Sequence, residues 1–420
     1  MIQRLLYRCP LCGAEPWLER GRCRGCGASI KVGPDRYTAT IGGETDTVAG
    51  WYAAVRRLDR LPEGGLASAL VRVSRESREK PRSLAGGLTA VFYGRRPLGQ
   101  AKLRLLVDRL EVDGLPGGPD AIGLADVRAV TIESNTVIVD SRSRGVLFFD
   151  FPRGSGKRWE DALDQALERF HAPRKILEFC PRLRFSAERS PAAPGRGGAD
   201  HRPLKRAARR RERPGLGFDA VRALVGWLLR TAFPLRVEGR QHVPSAGPAV
   251  LAANHSSFLD AIFLAALAPR PVAFMTKNSQ FAHPALFRIL RWAGAFPVRR
   301  YTTDPVAVHN ALRVLAQGRV LGLFPEGERC WDGRMQPFKR TALRLLLASG
   351  APVVPVRIAG AYGLMPRWSA RIRRVPVAIR FGAPLNLPAI APEDQTEGDI
   401  AACGDLLRDA IRQSIDSLVR

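Results

Sequence analysis

The sequence predicts a chain that ends in an α/β domain, a mixed sheet flanked by helices, preceded by a small cysteine-bounded module and a strand-rich α+β domain. Three observations carry this. From Arg236 onward, short apolar runs alternate with segments of helical periodicity. Between residues 69 and 171 a series of short strands is closed by one amphipathic helix. Near the start, two Cys-x2-Cys pairs lie ten residues apart.

The 420 residues suffice for two or three domains and a full-sized core. Lys and Arg number 66 against 39 Asp and Glu, a net charge of +27, so the chain seeks a polyanion. Charge alone does not choose between nucleic acid and an anionic membrane surface. No apolar run is long enough for a membrane span, and the first residues lack the apolar core of a secretion signal. The expectation is a cytoplasmic protein, soluble or peripheral at the inner face of the cell membrane.

Of seven cysteines, Cys9, Cys12, Cys23 and Cys26 cluster, while Cys180, Cys330 and Cys403 stand alone. That pattern suits a reduced compartment with one metal site rather than a disulfide framework. Gly13 and Gly27 directly follow the two pairs, where a knuckle needs positive φ. Four thiolates on two turns suit tetrahedral zinc, and so short a segment has no other core. Residues 1–35 therefore resemble a zinc ribbon with a structural zinc on those four cysteines. Zinc ribbons bind nucleic acid in some proteins and are structural or protein-binding in others. The loop between the pairs offers only Trp17 for base stacking.

A helix is predicted over residues 46–60, with Trp51, Ala54, Val55 and Leu58 on one face. Strands follow at 69–73, 88–93, 102–107, 109–112, 127–133, 136–140 and 145–149, with Ser134-Asn135 as a hairpin turn. A helix over 157–171 closes the run. Over residues 36–172 this pattern resembles a pleckstrin-homology-like or GRAM-like module, which implies binding of phospholipid headgroups or proteins. A β domain of purely structural use is the alternative.

Residues 173–216 shift towards Arg, Pro, Ala and Gly and read as a disordered linker carrying a basic cluster at 205–211. Each such cation near an anionic bilayer contributes on the order of 1 kcal/mol. Next, Phe218, Val221, Leu224, Val225, Leu228 and Leu229 recur at helical spacing with Trp227 among them. Residues 284–292 repeat the mixture of large apolar side chains and arginine. Such helices lie in a membrane interface or pack as ordinary domain helices, and the two are compatible.

Residues 217–420 hold the α/β domain. Strands are predicted at 249–253, 272–275, 320–324, 353–357 and 375–381, and helices at 258–267, 284–293, 305–316 and 341–349. The segment Ala249 to Asp260 organises the rest. A buried strand leads into a helix capped by Ser256 or Ser257, which places His255 on the turn and Asp260 in the first helical turns. From the turn, the ring folds back on the carboxylate and keeps its other nitrogen for general-base work. The plain alternative is a core histidine followed by an unrelated helix carboxylate.

Four blocks in order turn this pattern into a family resemblance. They are Asn254-His255-x4-Asp260, Gly294 to Arg300, Phe324 to Arg329, and Val354-Pro355-Val356. Together with Lys277, they make residues 236–390 resemble the glycerolipid acyltransferase family of the 1-acylglycerol-3-phosphate type. The resemblance implies that His255 takes the acceptor hydroxyl's proton while Asp260 orients it. The acyl group then moves directly from acyl-CoA or acyl carrier protein, without a covalent acyl-enzyme. It also implies that Lys277, Arg300 and Arg329 hold the acceptor phosphate, that Glu326 meets an acceptor hydroxyl or a basic neighbour, and that Gly327 admits close backbone approach.

Two departures bear on the acceptor. Glu328-Arg329-Cys330 stands where Thr-Arg-Ser is usual, and Thr341 stands where glycine is usual. The expected function is acyl transfer to a lysophospholipid, most readily lysophosphatidate, in phospholipid biosynthesis at an anionic membrane, with nucleic acid not the expected partner. The rival readings are a non-catalytic lipid-binding scaffold and a nucleic-acid-binding protein acting through ribbon and linker.

Overall fold

The computed structural model describes residues 2–15, 17–59, 66–79, 82–84, 88–115, 120–171, 176–179, 183–186, 217–299 and 304–413. Arg300, Cys180 and the basic cluster at 205–211 lie outside the described residues.

The first module is a hairpin of β1 (Leu18–Glu19) and β2 (Arg22–Cys23), then a three-stranded sheet of β3 (Ile30–Val32), β4 (Thr38–Ile41) and β5 (Glu44–Thr47). Helix α1 (Val48–Leu58) follows, capped by the Thr47 hydroxyl accepting from Gly50 N. Trp51 of α1 shares one apolar cluster with Cys9, Trp17, Cys23 and Ile41. Residues 38–58, read from the sequence with the strand-rich domain, thus pack with the cysteine module instead. Four side chains of this cluster come from far along the chain: Cys330, Trp331, Tyr362 and Trp368.

The second module is a seven-stranded antiparallel sheet. Its strands are β6 (Leu66–Arg78), β9 (Tyr93–Leu105), β10 (Arg109–Asp113), β11 (Asp120–Gly123), β12 (Val127–Glu133), β13 (Thr136–Ser141) and β14 (Gly145–Asp150). Between β6 and β9 lie the two-residue strands β7 (Arg82–Ser83) and β8 (Thr89–Ala90). The sheet order is β11-β10-β9-β6-β14-β13-β12, and α2 (Gly156–His171) covers one face through Trp159, Leu163 and Leu167. Ser134 takes φ 58° at the β12–β13 turn, where the sequence placed a hairpin. β6 and β9 are thirteen residues each, longer than their apolar runs, because they form an arm reaching off the sheet. At its tip Leu84, Leu88, Ala90 and Phe92 join the core of the third module, with the Phe92 ring 5.9 Å from both Phe281 and Phe287. Within the segment read as linker, β15 (Ile176–Phe179) and β16 (Leu183–Ser186) pair antiparallel.

The third module begins with α3 (Phe218–Ala232), β17 (Leu235–Glu238), β18 (Ala249–Ala253), α4 (Asp260–Leu267), β19 (Val272–Lys277), α5 (Pro284–Trp292) and β20 (Phe296–Val298). It continues with α6 (Pro305–Ala316), β21 (Val320–Leu323), α7 (Arg340–Ser349), β22 (Val353–Ala359), α8 (Ala361–Leu364), β23 (Val377–Phe381) and α9 (Glu397–Gln413). The sheet order is β17-β23-β22-β18-β21-β19-β20, parallel throughout except between β22 and β23. The central strand β18 is buried on both faces. Ala249, Leu251 and Ala253 pack towards α3 and α4, while Val250 and Ala252 face α6, α7 and α9. That double burial explains its run of small apolar residues without alternation. The carboxyl ends of β18, β21 and β19 lie side by side, where open α/β sheets place ligands.

Candidate active site

His255 follows the end of β18 and Asp260 opens α4, so the turn between them sets their distance. His255 Nδ1 lies 2.9 Å from Asp260 Oδ2. The same oxygen accepts the backbone N–H groups of Ser256 and Ser257, each at 2.7 Å. Asp260 is 0% exposed, so three donors converging on one carboxylate oxygen satisfy a charge that burial alone would penalise. The helix starts two residues later than the sequence indicated, and the two serines serve as backbone donors rather than side-chain caps. With Nδ1–H directed at Asp260, Nε2 is the ring nitrogen that accepts a proton.

Residues outside the His–Asp pair hold this turn in place. The Asn254 side chain exchanges two hydrogen bonds with the Ile358 backbone, at 3.0 and 2.7 Å, locking β18 to the end of β22. The Phe324 ring stacks on His255 with centroids 4.0 Å apart. Cys330 N donates to His255 O at 2.9 Å. Neither Asn254 nor Phe324 has a sequence signal beyond its place in a motif.

Glu326 is 1% exposed, and its two oxygens accept His255 N and Gln336 N, both at 2.7 Å. The carboxyl thus ties the histidine turn to the 326–336 loop instead of facing an acceptor hydroxyl. Burial pushes its pKa up to about 8, against the lowering effect of the two amides. A folded pKa above the unfolded value means stability that is fully present at low pH and lost as pH rises towards 8. Glu326→Gln replaces one acceptor by a donor and strands the amide facing it, at a cost of about 1–3 kcal/mol. The expected melting curve of Glu326→Gln is therefore lower than wild type at pH 5, with a gap that narrows by pH 8.5. A gap constant with pH would contradict the assignment.

Gly327 takes φ +71°, and a Cβ there would run into the Lys339 side chain. Its freedom makes room for a lysine of the same domain. Lys277 ends β19, two strands from His255, so about 10 Å separates their strand ends. Arg329 lines a cavity of about 660 Å³ at the meeting of all three modules, with Arg4, Trp17, Ser134, Met365 and Arg367 among its walls. The additional charge at Glu328 is compensated: Arg367 Nη1 lies 2.7 Å from its carboxylate and also donates to Arg329 O. Arg367 was not identified from the sequence, because it stands 39 residues from Glu328 and in no recognised block.

The four cysteine sulfurs lie within 4.8 Å of one another, with Cys9–Cys26 at 3.8 Å and Cys12–Cys23 at 3.5 Å. Tetrahedral zinc with thiolates at about 2.3 Å sets the sulfurs roughly 3.8 Å apart, so the donor set fits that ion. Gly25 N and Cys26 N donate to Cys23 Sγ at 3.3 and 3.5 Å, as expected around a thiolate ligand.

Residues 234–359 match the family model described as acyltransferase, a stretch that contains His255, Asp260, Lys277, Glu326, Gly327 and Arg329. The 1-acyl-sn-glycerol-3-phosphate acyltransferase of Limnanthes alba is 30% identical over 171 residues, 40% of this chain and 59% of that one. The Bacillus subtilis protein of the same name is 28% identical over 127 residues, 30% of this chain and 63% of that one. The chain thus spans less than two thirds of the length of either relative. The crystal structure of the 1-acyl-sn-glycerophosphate acyltransferase PlsC from Thermotoga maritima aligns with 48% of this chain and 79% of that chain, at 23% identity and a TM-score of 0.41.

Proposed function

We propose, from the premise that residues 234–359 are an acyltransferase-family domain, that this chain is an O-acyltransferase. It moves a fatty acyl group from acyl-CoA or acyl carrier protein to a lysophospholipid hydroxyl, with 1-acyl-sn-glycerol-3-phosphate the leading acceptor. The observation that carries the reading is the buried Asp260 carboxylate bonded to His255 Nδ1 at the carboxyl end of the central strand. His255 Nε2 takes the hydroxyl proton as the acceptor oxygen attacks the thioester carbonyl. The tetrahedral intermediate then expels the thiolate, which recovers that proton from the imidazolium. Asp260 holds the imidazolium while it exists. Lys277, Arg329 and Arg300 are proposed for the acceptor phosphate, with Glu326 and Gly327 shaping the loop. Zinc on Cys9, Cys12, Cys23 and Cys26 is structural. The strand order and closing helix of the second module support its pleckstrin-homology-like reading.

An apolar face beside the site supports a membrane-borne acceptor. Among the described residues no helix is long and apolar enough to cross a membrane. Leu224, Trp227 and Leu228 of α3 are nonetheless exposed, Trp227 at 60%, as are Phe258, Ile289 and Trp292. Phe218 of α3 packs edge-on to Trp292 of α5 at 4.8 Å, which joins the two helices. Replacing Trp227 and Leu228 together by serine is expected to weaken sedimentation with anionic vesicles about tenfold or more while the melting temperature stays within a few degrees of wild type. Unchanged vesicle binding would remove this face from the account.

The reaction is tested by incubating the protein with acyl-CoA and acyl-carrier-protein donors and a panel of lysophospholipids, followed by mass spectrometry of the lipids. A diacyl product from at least one pair is expected. Lysolipid binding without product from any pair would instead favour a scaffold.

A further inference from the structure

The turn at the end of β12 is wedged against the basic groups of the acyltransferase domain. Ile132 O accepts Arg367, the carboxylate of Glu133 pairs with Lys277, and Ser134 lines the cavity that holds Arg329. Three strands away in the same sheet, on β6, Glu76 Oε2 lies 3.2 Å from Arg299 Nη1. Two acidic residues of the second module thus meet two cations of the third, Lys277 and Arg299, and Lys277 is among the residues proposed above for the acceptor phosphate. Glu133 is the more telling, because it is 7% exposed while the Lys277 side chain keeps 26% of its surface open. A ligand reaches the lysine, but it meets a cation already matched by a fixed carboxylate.

We propose that Glu133 is a specificity-determining residue of the acceptor site, supplied by the second module, that counts the charge of the acceptor headgroup. This rests on the acyltransferase reading above. A fixed negative charge disfavours an incoming dianion more than a monoanion, because the Coulomb term scales with ligand charge. A phosphomonoester, as in 1-acylglycerol-3-phosphate, therefore gains less from Lys277 than it would from an unmatched lysine. A phosphodiester headgroup, as in lysophosphatidylglycerol, is penalised less. The site accordingly accepts phosphodiester lysophospholipids alongside the phosphomonoester, a breadth the acyltransferase domain alone would not have. Glu133 acts on binding rather than on the acyl-transfer step, since Lys277 is two strands from His255.

The test compares kcat/KM for 1-acylglycerol-3-phosphate and for lysophosphatidylglycerol in wild type, Glu133→Gln, Glu133→Asp and the double variant Glu133→Gln/Lys277→Ala. The single Gln variant is expected to keep its fold, because Arg95, 3.6 Å from Glu133, retains Asp150 at 3.5 Å. Glu133→Gln should raise the phosphomonoester-to-phosphodiester ratio about fivefold or more, through a lower KM for the phosphomonoester at unchanged kcat. The gain should vanish when Lys277 is also removed. Glu133→Asp keeps the charge and should keep the wild-type ratio to within about twofold; it shows that lost charge, not lost packing, moves the ratio. A ratio unmoved in folded Glu133→Gln, or a gain that survives loss of Lys277, overturns the inference and leaves the acyltransferase reading standing. Absence of product from wild type with every acceptor ends that reading, and the inference with it.

Discussion

Asp260→Ala is expected to lose acyl transfer as fully as His255→Ala and, unlike it, to lower the melting temperature. The difference follows from what each side chain holds. His255 contributes its ring to the reaction, and its removal leaves the carboxylate with two backbone donors. Asp260 removal strands the buried N–H groups of Ser256 and Ser257 and takes the partner from the partly exposed His255 ring. Each stranded buried donor costs about 1–3 kcal/mol, and these three share one oxygen, so the sum is less than additive. A drop of roughly 6–12 °C is expected for a loss of about 3 kcal/mol in a domain of this size. Rates should fall by about a hundredfold to ten-thousandfold in both variants, the usual contribution of general acid–base work. Asp260→Asn separates the two effects. An amide oxygen can still accept the three donors, so most stability should return while the imidazolium loses its counter-charge. Differential scanning calorimetry beside initial rates checks all three variants. Equal melting temperatures for Asp260→Ala and His255→Ala would contradict the three-donor account.

Removing the proposed structural zinc with a chelator is the second large perturbation, and it should act well beyond the cysteine module. The module is docked on the third module by contacts that are themselves buried. Arg36 is 3% exposed, donates to Leu364 O at 3.1 Å and Arg371 O at 2.9 Å, and lies over the Trp368 ring. Tyr37 packs on Tyr362 with ring centroids 4.8 Å apart, and Gly363 admits the Asp35 carbonyl where a Cβ would block it. A zinc-ribbon segment without metal does not keep its fold, so these contacts go together. Trp331, Tyr362 and Trp368 would then be partly exposed, at about 1.5–3 kcal/mol for each fully uncovered side chain. The same segment carries Cys330, whose N–H holds the His255 carbonyl, and Arg367, which neutralises Glu328. The expected result is a melting temperature lower by roughly 10 °C, a rise in tryptophan accessibility and a loss of turnover, all restored by added zinc. Full activity in zinc-free protein, with the metal content verified, would show that the module is only a passenger.

The parts of the site that sequence reasoning reached share one property: their geometry is local. His255 and Asp260 are five residues apart on a strand–turn–helix whose strand was evident from five small apolar residues, so their meeting is local even though Asn254, Phe324, Glu326 and Cys330 brace the turn from elsewhere. The four cysteines are equally local. What was not legible depends on contacts between residues far apart in the chain. Arg36 meets Leu364 across 328 positions, and Arg367 meets Ile132 across 235. No periodicity or spacing records such pairs, and an isolated arginine in a chain of 66 basic residues attracts no notice. The β6–β9 arm shows the same limit in the fold. Phe92 looked like part of a strand, yet its ring packs beside Phe281 in another module, because the arm carries it there. The motif alone points Glu326 to an acceptor hydroxyl or a basic neighbour, whereas its burial and two backbone amides tie it to the loop.

The most direct test of the central claim is the rate of thiol release from acyl-CoA with 1-acyl-sn-glycerol-3-phosphate as acceptor, measured for wild type and His255→Ala at matched, verified folding. Thiol release that requires the acceptor, matches the diacyl product mole for mole and falls at least about a hundredfold in the variant is the predicted result. Acceptor-dependent release of equal rate in both proteins would contradict the assignment of His255 as the base.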